Sequence, residues 1–268
     1  MIKSFEIENA RRIILKIGSS LLIQEKKFNC NWLNSFIDDL VLLKKKDIEI
    51  IIVASGAVSL GANYLKINNE KTSLTDKQAF AACGQVILME NFMRAFMKKG
   101  MKVAQILLTF SDTEDRRKSL NSRETLKSLL DEGVIPIINE NDTVATDELK
   151  FGDNDRLASR VAQIIDADLL ILLSDVKGLY DDNPKTNKKA RLIPIVKNIN
   201  SKALKFVSDQ TNEYGSGGMR TKIEAAEIAD TFGCSTVICQ GNIKRPISNF
   251  KKKKLVLYSF LKIKKRKV

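Results

Sequence analysis

Short apolar runs alternate with longer amphipathic segments along most of the chain. The apolar runs are rich in isoleucine, valine and leucine, and they predict buried strands at residues 11–17, 48–53, 103–109, 134–138, 169–173 and 236–240. Apolar positions at helical spacing predict helices at 32–46, 76–99 and 120–130 and around 157–165 and 223–232. This alternation favours an α/β fold, a three-layer αβα sandwich with a mostly parallel central sheet.

Polar or glycine-containing segments follow four of these strands, at residues 16–20, 55–61, 139–142 and 174–180. The carboxyl ends of parallel strands lie along one edge of a sheet, where α/β proteins bind ligands. The segment richest in carboxylate and amide side chains is VIPIINENDTVATDELKFGDNDRLASR, residues 134–160. We therefore expect the chemistry of this protein in that segment.

A purely structural interpretation of the same segment stays open. Residues 143–151 alternate loosely, as in a small hairpin, and residues 152–155 have the composition of a turn that caps the following helix. Asn and Asp are ordinary turn residues, so either polar cluster alone would not indicate a site. Two such clusters close together, each at the end of a regular element, favour the functional interpretation.

Two segments have features of anion-binding sites. Lys16 precedes a Gly-Ser-Ser turn whose backbone N–H groups can help to hold an anion, although a lysine at a strand end often simply extends to solvent. The glycine-rich run 215–218 leads into a helix with Lys222 in its first turn, and a helix N-terminus attracts negative charge. Such a run can also be an ordinary linker. Neither segment matches the Walker A pattern G-x-x-x-x-G-K-[ST].

The composition restricts the possible chemistry. The 268 residues include no histidine, and the four cysteines lack the paired spacing of zinc ligands. Catalysis would therefore rest on carboxylates, lysines, a metal ion or a nucleophile that is already ionised. No apolar run reaches the roughly 18–20 residues that cross a bilayer. No secretory signal precedes the first strand either, so we expect a cytoplasmic protein that does not bind membranes.

The net charge of +13 is concentrated in the C-terminal segment. Residues 244–267 carry 11 Lys and Arg, which leaves +2 for the rest of the chain (13 − 11), and no acidic residue follows Asp230. Such a tail can bind phosphate backbones or an anionic membrane surface. The chain has no recognisable nucleic-acid-binding module, so we interpret the tail as a solvated segment and do not expect nucleic acid as a partner.

Six motifs, in this order, carry a resemblance to a known family: LKIGSSLL, ASGAVSLG, KQAFAACGQ, INENDTVATDELKFGDNDRLA, LLSDVKGLYDDNP and GSGGMRTKIEAA. Over residues 13–241 the chain resembles the glutamate 5-kinases of the amino acid kinase family. The resemblance implies the fold of that family and phosphorylation of the side-chain carboxylate of L-glutamate by ATP with Mg²⁺, the first step of proline synthesis. It also implies a homo-oligomer and, as a partner, a glutamyl phosphate (glutamate-5-semialdehyde) reductase.

The resemblance assigns roles to individual residues. Lys16, Lys222 and Asp155 would be catalytic, with Lys16 on the transferred phosphate and Asp155 orienting both lysines. Glutamate would be bound by Ser55, Asp142 and Asn154. The nucleotide would be contacted by Lys16, Ser174, Asp175, Ser216, Gly217, Gly218, Met219, Arg220, Thr221 and Lys222. No residue is assigned as a metal ligand.

The chain departs from the family pattern in three places. Many members carry an added C-terminal PUA domain, and this chain ends too early to hold one. We therefore expect an amino acid kinase domain at residues 1–243 and a basic tail at 244–268. Ala54 stands where a hydroxyl residue is frequent, and Ser174 stands where threonine is frequent. Both replacements are small and leave the implied roles intact.

The residue types fit this chemistry. A glutamate side chain with a pKa of about 4.3 is already ionised at neutral pH, so it needs no general base and the lack of histidine is no obstacle. The barrier is repulsion between an anionic acceptor and a triphosphate, which Mg²⁺, Lys16, Lys222 and helix-terminal N–H groups would offset. Two other hypotheses stay open: a related kinase acting on another carboxylate or phosphate, and a non-catalytic nucleotide- or RNA-binding regulator.

Overall fold

The computed structural model describes residues 7–67, 72–145, 154–182, 186–193, 195–196, 218–252 and 258–259. Its strands are β1 (Arg12–Ile17), β2 (Ile23–Gln24), β3 (Lys27–Phe28), β4 (Glu49–Ala54), β5 (Val103–Leu108), β6 (Ile135–Glu140), β7 (Leu169–Ser174), β8 (Ile195–Val196), β9 (Ser235–Gln240) and β10 (Tyr258–Ser259). Its α-helices are α1 (Ser19–Leu22), α2 (Cys30–Lys44), α3 (Ala57–Tyr64), α4 (Leu74–Met97), α5 (Phe110–Glu114), α6 (Arg116–Asp131), α7 (Asn154–Ile164), α8 (Met219–Thr231) and α9 (Pro246–Lys252).

The central sheet has the strand order β5-β6-β4-β1-β7-β9-β10-β8. Strand β1 pairs in parallel with β4 on one side and with β7 on the other, and the β4–β6, β5–β6 and β7–β9 pairs are also parallel. Strand β10 runs antiparallel to β9 and parallel to β8. The predicted α/β class with a mostly parallel sheet is therefore confirmed.

Alternating side chains of the central strands fill two hydrophobic cores, one on each face of the sheet. Ile13, Leu15 and Ile17 of β1 join the core that includes α2 and α4. Ile14 joins the opposite core, which includes α6, α7 and α8. Burial on both faces explains why these strands read as nearly continuous apolar runs. Lys16 shares its strand face with Ile14, so its side chain extends towards α7 and α8.

Helices α3 and α4 pack with their backbones in direct contact. A Cβ atom on Gly84 of α4 would overlap the carbonyl oxygen of Ala57, and one on Gly61 of α3 would overlap the carbonyl oxygen of Phe80. The long helix predicted at 76–99 is confirmed as α4, which continues through Gly84. Close packing against α3 is what requires glycine at that position.

The boundaries of several elements differ from the predicted ones. The strand predicted at 134–138 extends to Glu140, and the helix predicted at 120–130 begins at Arg116, where Asp115 caps it by accepting a hydrogen bond from Lys118 N–H (2.8 Å). Most of the predicted hairpin and turn between residues 143 and 153 lies outside the described residues. Among the helices of the described segments, none has the length and apolar character to cross a membrane.

The start of the C-terminal segment is anchored to the body of the domain. Asp39 of α2 is buried, and its carboxylate accepts hydrogen bonds from the backbone N–H groups of Ile247 (2.8 Å) and Ser248 (3.1 Å) in α9. Ile247 lies in the core that includes α2, and Phe250 packs against that core. The packed body therefore continues past residue 243, where the sequence analysis places the start of the basic tail. The reason is that α9 contains apolar residues, Ile247 and Phe250, which pack on the core.

We predict that Gly84→Ala destabilises the protein, even though alanine is the better helix former. Helix propensity alone would stabilise the variant by about 1 kcal/mol. Overlap with the Ala57 carbonyl forces the two helices apart and would cost about 1–3 kcal/mol or more. Urea unfolding followed by circular dichroism measures the net change. The control is Ala82→Gly at an exposed position of the same helix, which should lose only the stability that comes from helix propensity. A Gly84→Ala variant that is more stable than the wild type would contradict the prediction.

Candidate active site

The carboxyl ends of the central strands meet at one edge of the sheet, as the sequence predicts. The backbone N–H of Ser55, just after β4, donates to the carbonyl oxygen of Ile17 at the end of β1 (3.1 Å). On the other side of β1, the N–H of Gly241, just after β9, donates to the carbonyl oxygen of Ser174 at the end of β7 (2.6 Å). These bonds hold the polar segments that follow β4 and β9 against the ends of their neighbouring strands.

A buried carboxylate lies between two lysine ammonium groups at this edge. Asp155 Oδ1 is 2.6 Å from Lys16 Nζ, and Asp155 Oδ2 is 2.8 Å from Lys222 Nζ. Thr221 Oγ1 also donates to Asp155 Oδ2, at 3.1 Å. The Asp155 side chain is fully buried and each lysine side chain is 6% exposed. We call Lys16, Asp155 and Lys222 the charge cluster.

Three separate elements position the charge cluster. Lys16 is the penultimate residue of β1, Asp155 is in the first turn of α7 and Lys222 is in the first turn of α8. Both helices pack on the face of the sheet to which Lys16 extends. A carboxylate in the first turn of a helix is favoured by the helix dipole, which supports Asp155 at this position.

The two lysines keep Asp155 ionised. Burial by itself would raise the pKa of Asp155, but the positive charges of Lys16 and Lys222 outweigh this effect and lower its pKa to about 2. The carboxylate is therefore charged at any physiological pH. Two ammonium groups and one carboxylate leave the cluster with one excess positive charge at the edge of the sheet, which favours binding of an anion.

Amide and hydroxyl groups lie next to the charge cluster. Asn154 precedes Asp155, and the two hydrogens of its Nδ2 are shared among three acceptors within hydrogen-bond distance: the carbonyl oxygen of Ala54 (2.6 Å), Ser55 Oγ (2.9 Å) and Asn139 Oδ1 (2.8 Å). The structure thus brings Ser55 and Asn154, predicted from distant motifs, into direct contact. Asn139 enters the sequence analysis only as a member of a polar run. Its signal is that asparagine is depleted from strands, yet Asn139 lies inside β6 and is 3% exposed.

Asp142 lies in the turn after β6, close in sequence to Asn139. Its side chain is partly buried, and this burial raises the pKa of Asp142 from 3.8 to about 6. The structure gives no direct contact between Asp142 and Ser55 or Asn154 among its hydrogen bonds within the described residues. An aspartate that is difficult to ionise in the ligand-free protein is a natural partner for a cation supplied by a ligand.

The remaining predicted residues fall into two groups at the same edge. Ser174 ends β7, and its Oγ donates to Asp175 Oδ1 at 3.3 Å. Gly218 precedes α8, and the first turn of that helix contains the predicted residues Met219, Arg220, Thr221 and Lys222. Arg220 is exposed and pairs with Glu224 at 3.1 Å. Ser216 and Gly217 lie outside the described residues, so their predicted roles stay predictions.

Comparison with known proteins identifies the family that the chain matches. The model of the amino acid kinase family matches residues 11–240. The chain is 48% identical over 242 residues to the glutamate 5-kinase of Pelagibacter ubique and 45% identical over 244 residues to that of Bradyrhizobium diazoefficiens. Each match covers 90% of this chain, but only 66% and 65% of the two relatives. The chain therefore spans just under two thirds of the length of these curated relatives.

Solved kinase structures of low sequence identity share the fold. An isopentenyl phosphate kinase aligns with a TM-score of 0.64 at 17% identity, covering 93% of this chain and 100% of that chain. The UMP kinase of Ureaplasma parvum aligns with a TM-score of 0.64 at 15% identity, covering 94% of this chain and 99% of that chain. At these identities the likeness shows the fold alone. With the family match over most of its length, it shows that this chain belongs to the amino acid kinase family.

Proposed function

We propose that this protein phosphorylates the side-chain carboxylate of L-glutamate with ATP, giving L-glutamyl 5-phosphate and ADP in the first step of proline biosynthesis. The proposal is supported by relatives named glutamate 5-kinase at 42–48% identity. The observation that carries it is the charge cluster, which brings two ammonium groups onto one carboxylate at the ligand-binding edge of the sheet.

The charge cluster suits transfer of a phosphoryl group to an acceptor that is already anionic. A glutamate side chain is ionised at neutral pH, so no proton has to be removed from it. The difficulty is repulsion between this carboxylate and the nucleotide phosphates, so catalysis depends on positioning and on neutralising charge. In this mechanism Lys16 contacts the transferred phosphoryl group, Lys222 contacts the nucleotide phosphates, and Asp155 holds both ammonium groups in place.

The acceptor would be bound by Ser55, Asn154 and Asp142. The Asn154 amide nitrogen donates inwards to Ala54 and Ser55, so the amide oxygen is the group that would accept from the α-ammonium of an amino acid. The Asp142 carboxylate would supply the countercharge for the same ammonium. Recognition of an α-ammonium would distinguish glutamate from acids that lack one.

The nucleotide would be bound between the end of β7 and the start of α8. The first N–H groups of a helix have no partner within the helix, and they lie at the positive end of its dipole. The start of α8 therefore suits phosphate, and Lys222 adds a full charge. The proposed nucleotide contacts are Lys16, Ser174, Asp175, Ser216, Gly217, Gly218, Met219, Arg220, Thr221 and Lys222.

Mg²⁺ enters this scheme as part of the nucleotide substrate. Magnesium in kinase sites keeps several water ligands and is held largely by substrate phosphates. In the part of the chain that the structure describes, no group of three or more Asp, Glu, His or Cys side chains could hold a metal ion. Both oxygens of Asp155 contact lysines. We therefore propose that the phosphates of the nucleotide, rather than a protein cage, carry the metal.

We further propose that the enzyme acts in the cytoplasm as a homo-oligomer and that a glutamyl phosphate reductase consumes its product. An acyl phosphate is a reactive mixed anhydride, so rapid reduction would prevent its loss to water. Light scattering during size-exclusion chromatography tests the oligomeric state. A coupled assay with reductase and NADPH tests the transfer of the product.

The function is tested by glutamate-dependent release of ADP, with hydroxylamine present to trap the acyl phosphate as a hydroxamate. The acceptor panel includes isopentenyl phosphate, UMP and carbamate, which the names of solved neighbours suggest. ADP release with one of these and not with glutamate would replace the proposed acceptor. Absence of ATP turnover, together with nucleic-acid binding that weakens steeply with salt, would favour a regulatory protein.

We predict that Lys16→Ala and Lys222→Ala each lower kcat by about 10²–10³ or more, the scale of losing one stabiliser of developing charge. Each variant keeps one of the two lysines that contact Asp155 but loses the other. Thermal melting is therefore measured to confirm that each variant is folded. The matched control is Lys77→Ala, at an exposed position of α4, which should keep wild-type turnover. Undiminished turnover in either site variant would remove that lysine from the mechanism.

We predict that Asp142→Asn raises the KM for glutamate by about tenfold or more and leaves the KM for ATP unchanged, because the charged partner of the α-ammonium is lost. In the wild type the glutamate KM should rise as the pH falls below about 6, because the buried Asp142, whose pKa is raised to about 6, then takes up a proton and loses its charge. The variant should lack this pH dependence. Steady-state kinetics from about pH 5 to about pH 8 measure both effects, and a selective rise in the KM for ATP would place Asp142 in the other subsite.

The same Asp142→Asn variant should be more stable than the wild type at neutral pH when no ligand is bound. Burial raises the pKa of the folded Asp142 from 3.8 to about 6, so the folded state binds more protons than the unfolded state between these values. The wild type therefore gains stability as the pH falls through this window. Scanning calorimetry should show an advantage of the variant that shrinks towards acidic pH, and an advantage that does not change with pH would contradict the prediction.

A further inference from the structure

A row of amide side chains runs from the buried Asn154 through the buried Asn139 and Gln85 to the exposed Gln105. Asn154 Nδ2 donates to Asn139 Oδ1 (2.8 Å), and Asn139 Nδ2 donates to Gln85 Oε1 of α4 (2.8 Å). Gln85 Nε2 in turn donates to Gln105 Oε1 of β5 (3.1 Å). We call Asn154, Asn139, Gln85 and Gln105 the amide chain. Each amide donates to the oxygen of the next, so the chain has one direction.

Two backbone groups fix that direction. The carbonyl oxygen of Ala54 can only accept, so the Asn154 amide must turn its nitrogen towards it. The backbone N–H of Glu140 can only donate, and it donates to Asn139 Oδ1 at 2.9 Å, so the Asn139 amide must turn its oxygen towards it. With its oxygen committed in this way, Asn139 presents its nitrogen to Gln85. Gln85 is therefore the acceptor that completes the orientation of Asn139.

We propose that Gln85 is a positioning residue for the acceptor subsite. Gln85 is 9% exposed and Asn139 is 3% exposed, so water replaces the Gln85 oxygen poorly. Without that oxygen, the Asn139 amide nitrogen loses its partner and the amide is held only through its oxygen, so its bond from Asn154 weakens. The oxygen that Asn154 presents to the acceptor is then less well oriented. This inference rests on the proposed function, because it assigns Asn154 to the acceptor.

The position of Gln85 in the fold supports this role. The adjacent residue, Gly84, lies directly against the backbone of Ala57 in α3, which follows β4 and Ser55. This close approach fixes α4 against the segment that carries Ser55, so the Gln85 side chain starts from a rigid backbone. The charge cluster uses none of these amides, and the amide chain therefore affects the acceptor half of the site separately from the nucleotide half.

The test is Gln85→Met, which keeps the length of the side chain and removes the amide. The KM for glutamate should rise about tenfold or more, the scale of leaving a buried amide without its partner. The KM for ATP should stay within about twofold of wild type. Gln105→Met should show the same selectivity with a smaller effect, because Gln105 is exposed and water can replace it. Gln163→Met, an exposed glutamine of α7 that contacts Arg160 (3.2 Å), is the matched control.

The outcomes separate this inference from the proposed function. An active wild type with an unchanged glutamate KM in Gln85→Met would overturn the inference and leave the function standing. A parallel rise in both KM values with a lower melting temperature would show a general structural role and would also overturn it. If Gln85→Met does not fold, Gln85→Ala, which also removes the acceptor of Asn139 Nδ2, decides, and an unchanged glutamate KM in that variant overturns the inference. A wild type that does not phosphorylate glutamate would overturn both.

Discussion

The structure depends on one buried carboxylate that two ammonium groups share. Removing an aspartate and two lysines from water costs free energy, and only short, well-satisfied contacts offset that cost. Asp155 supplies such a contact through each of its oxygens. Since the partners come from β1, α7 and α8, the cluster is satisfied only when the central strand and both helices are in their final positions. The same contacts leave an excess positive charge at the edge of the sheet.

The start of α7 joins the two halves of the candidate site. Asn154 and Asp155 are consecutive residues, yet their side chains serve different partners: Asn154 contacts neutral amide and hydroxyl groups, and Asp155 contacts lysines. A phosphoryl transfer needs its acceptor and its nucleotide side by side but differently recognised. In the proposed function, having Asn154 and Asp155 on one helical turn would fix the spacing between the acceptor and the lysines that contact the nucleotide. The helix itself is held by its buried apolar face against the sheet.

Close packing at a distance from the chemistry also contributes to the site. The contact between α3 and α4 requires glycine at positions 61 and 84, and it holds α4 where Gln85 reaches Asn139. Buried polar groups must find hydrogen-bond partners within the protein, and in the amide chain each nitrogen donates to the oxygen of the next amide. The interior of this domain is therefore both a hydrophobic core and a support for the polar edge of the sheet.

The sequence by itself determined the class of the fold, the order of its main elements and the strand ends at which polar residues gather. Hydropathy periods and polar clusters are properties of neighbouring residues, so they can be recognised without coordinates, and the family motifs predicted roles for Lys16, Lys222 and Asp155. Only the tertiary structure decided how deeply this cluster is buried, that Gln85 reaches Asn139 and that α9 packs on Asp39. Such contacts join residues far apart in the chain and depend on burial and on the orientation of single amide groups, which no local pattern encodes.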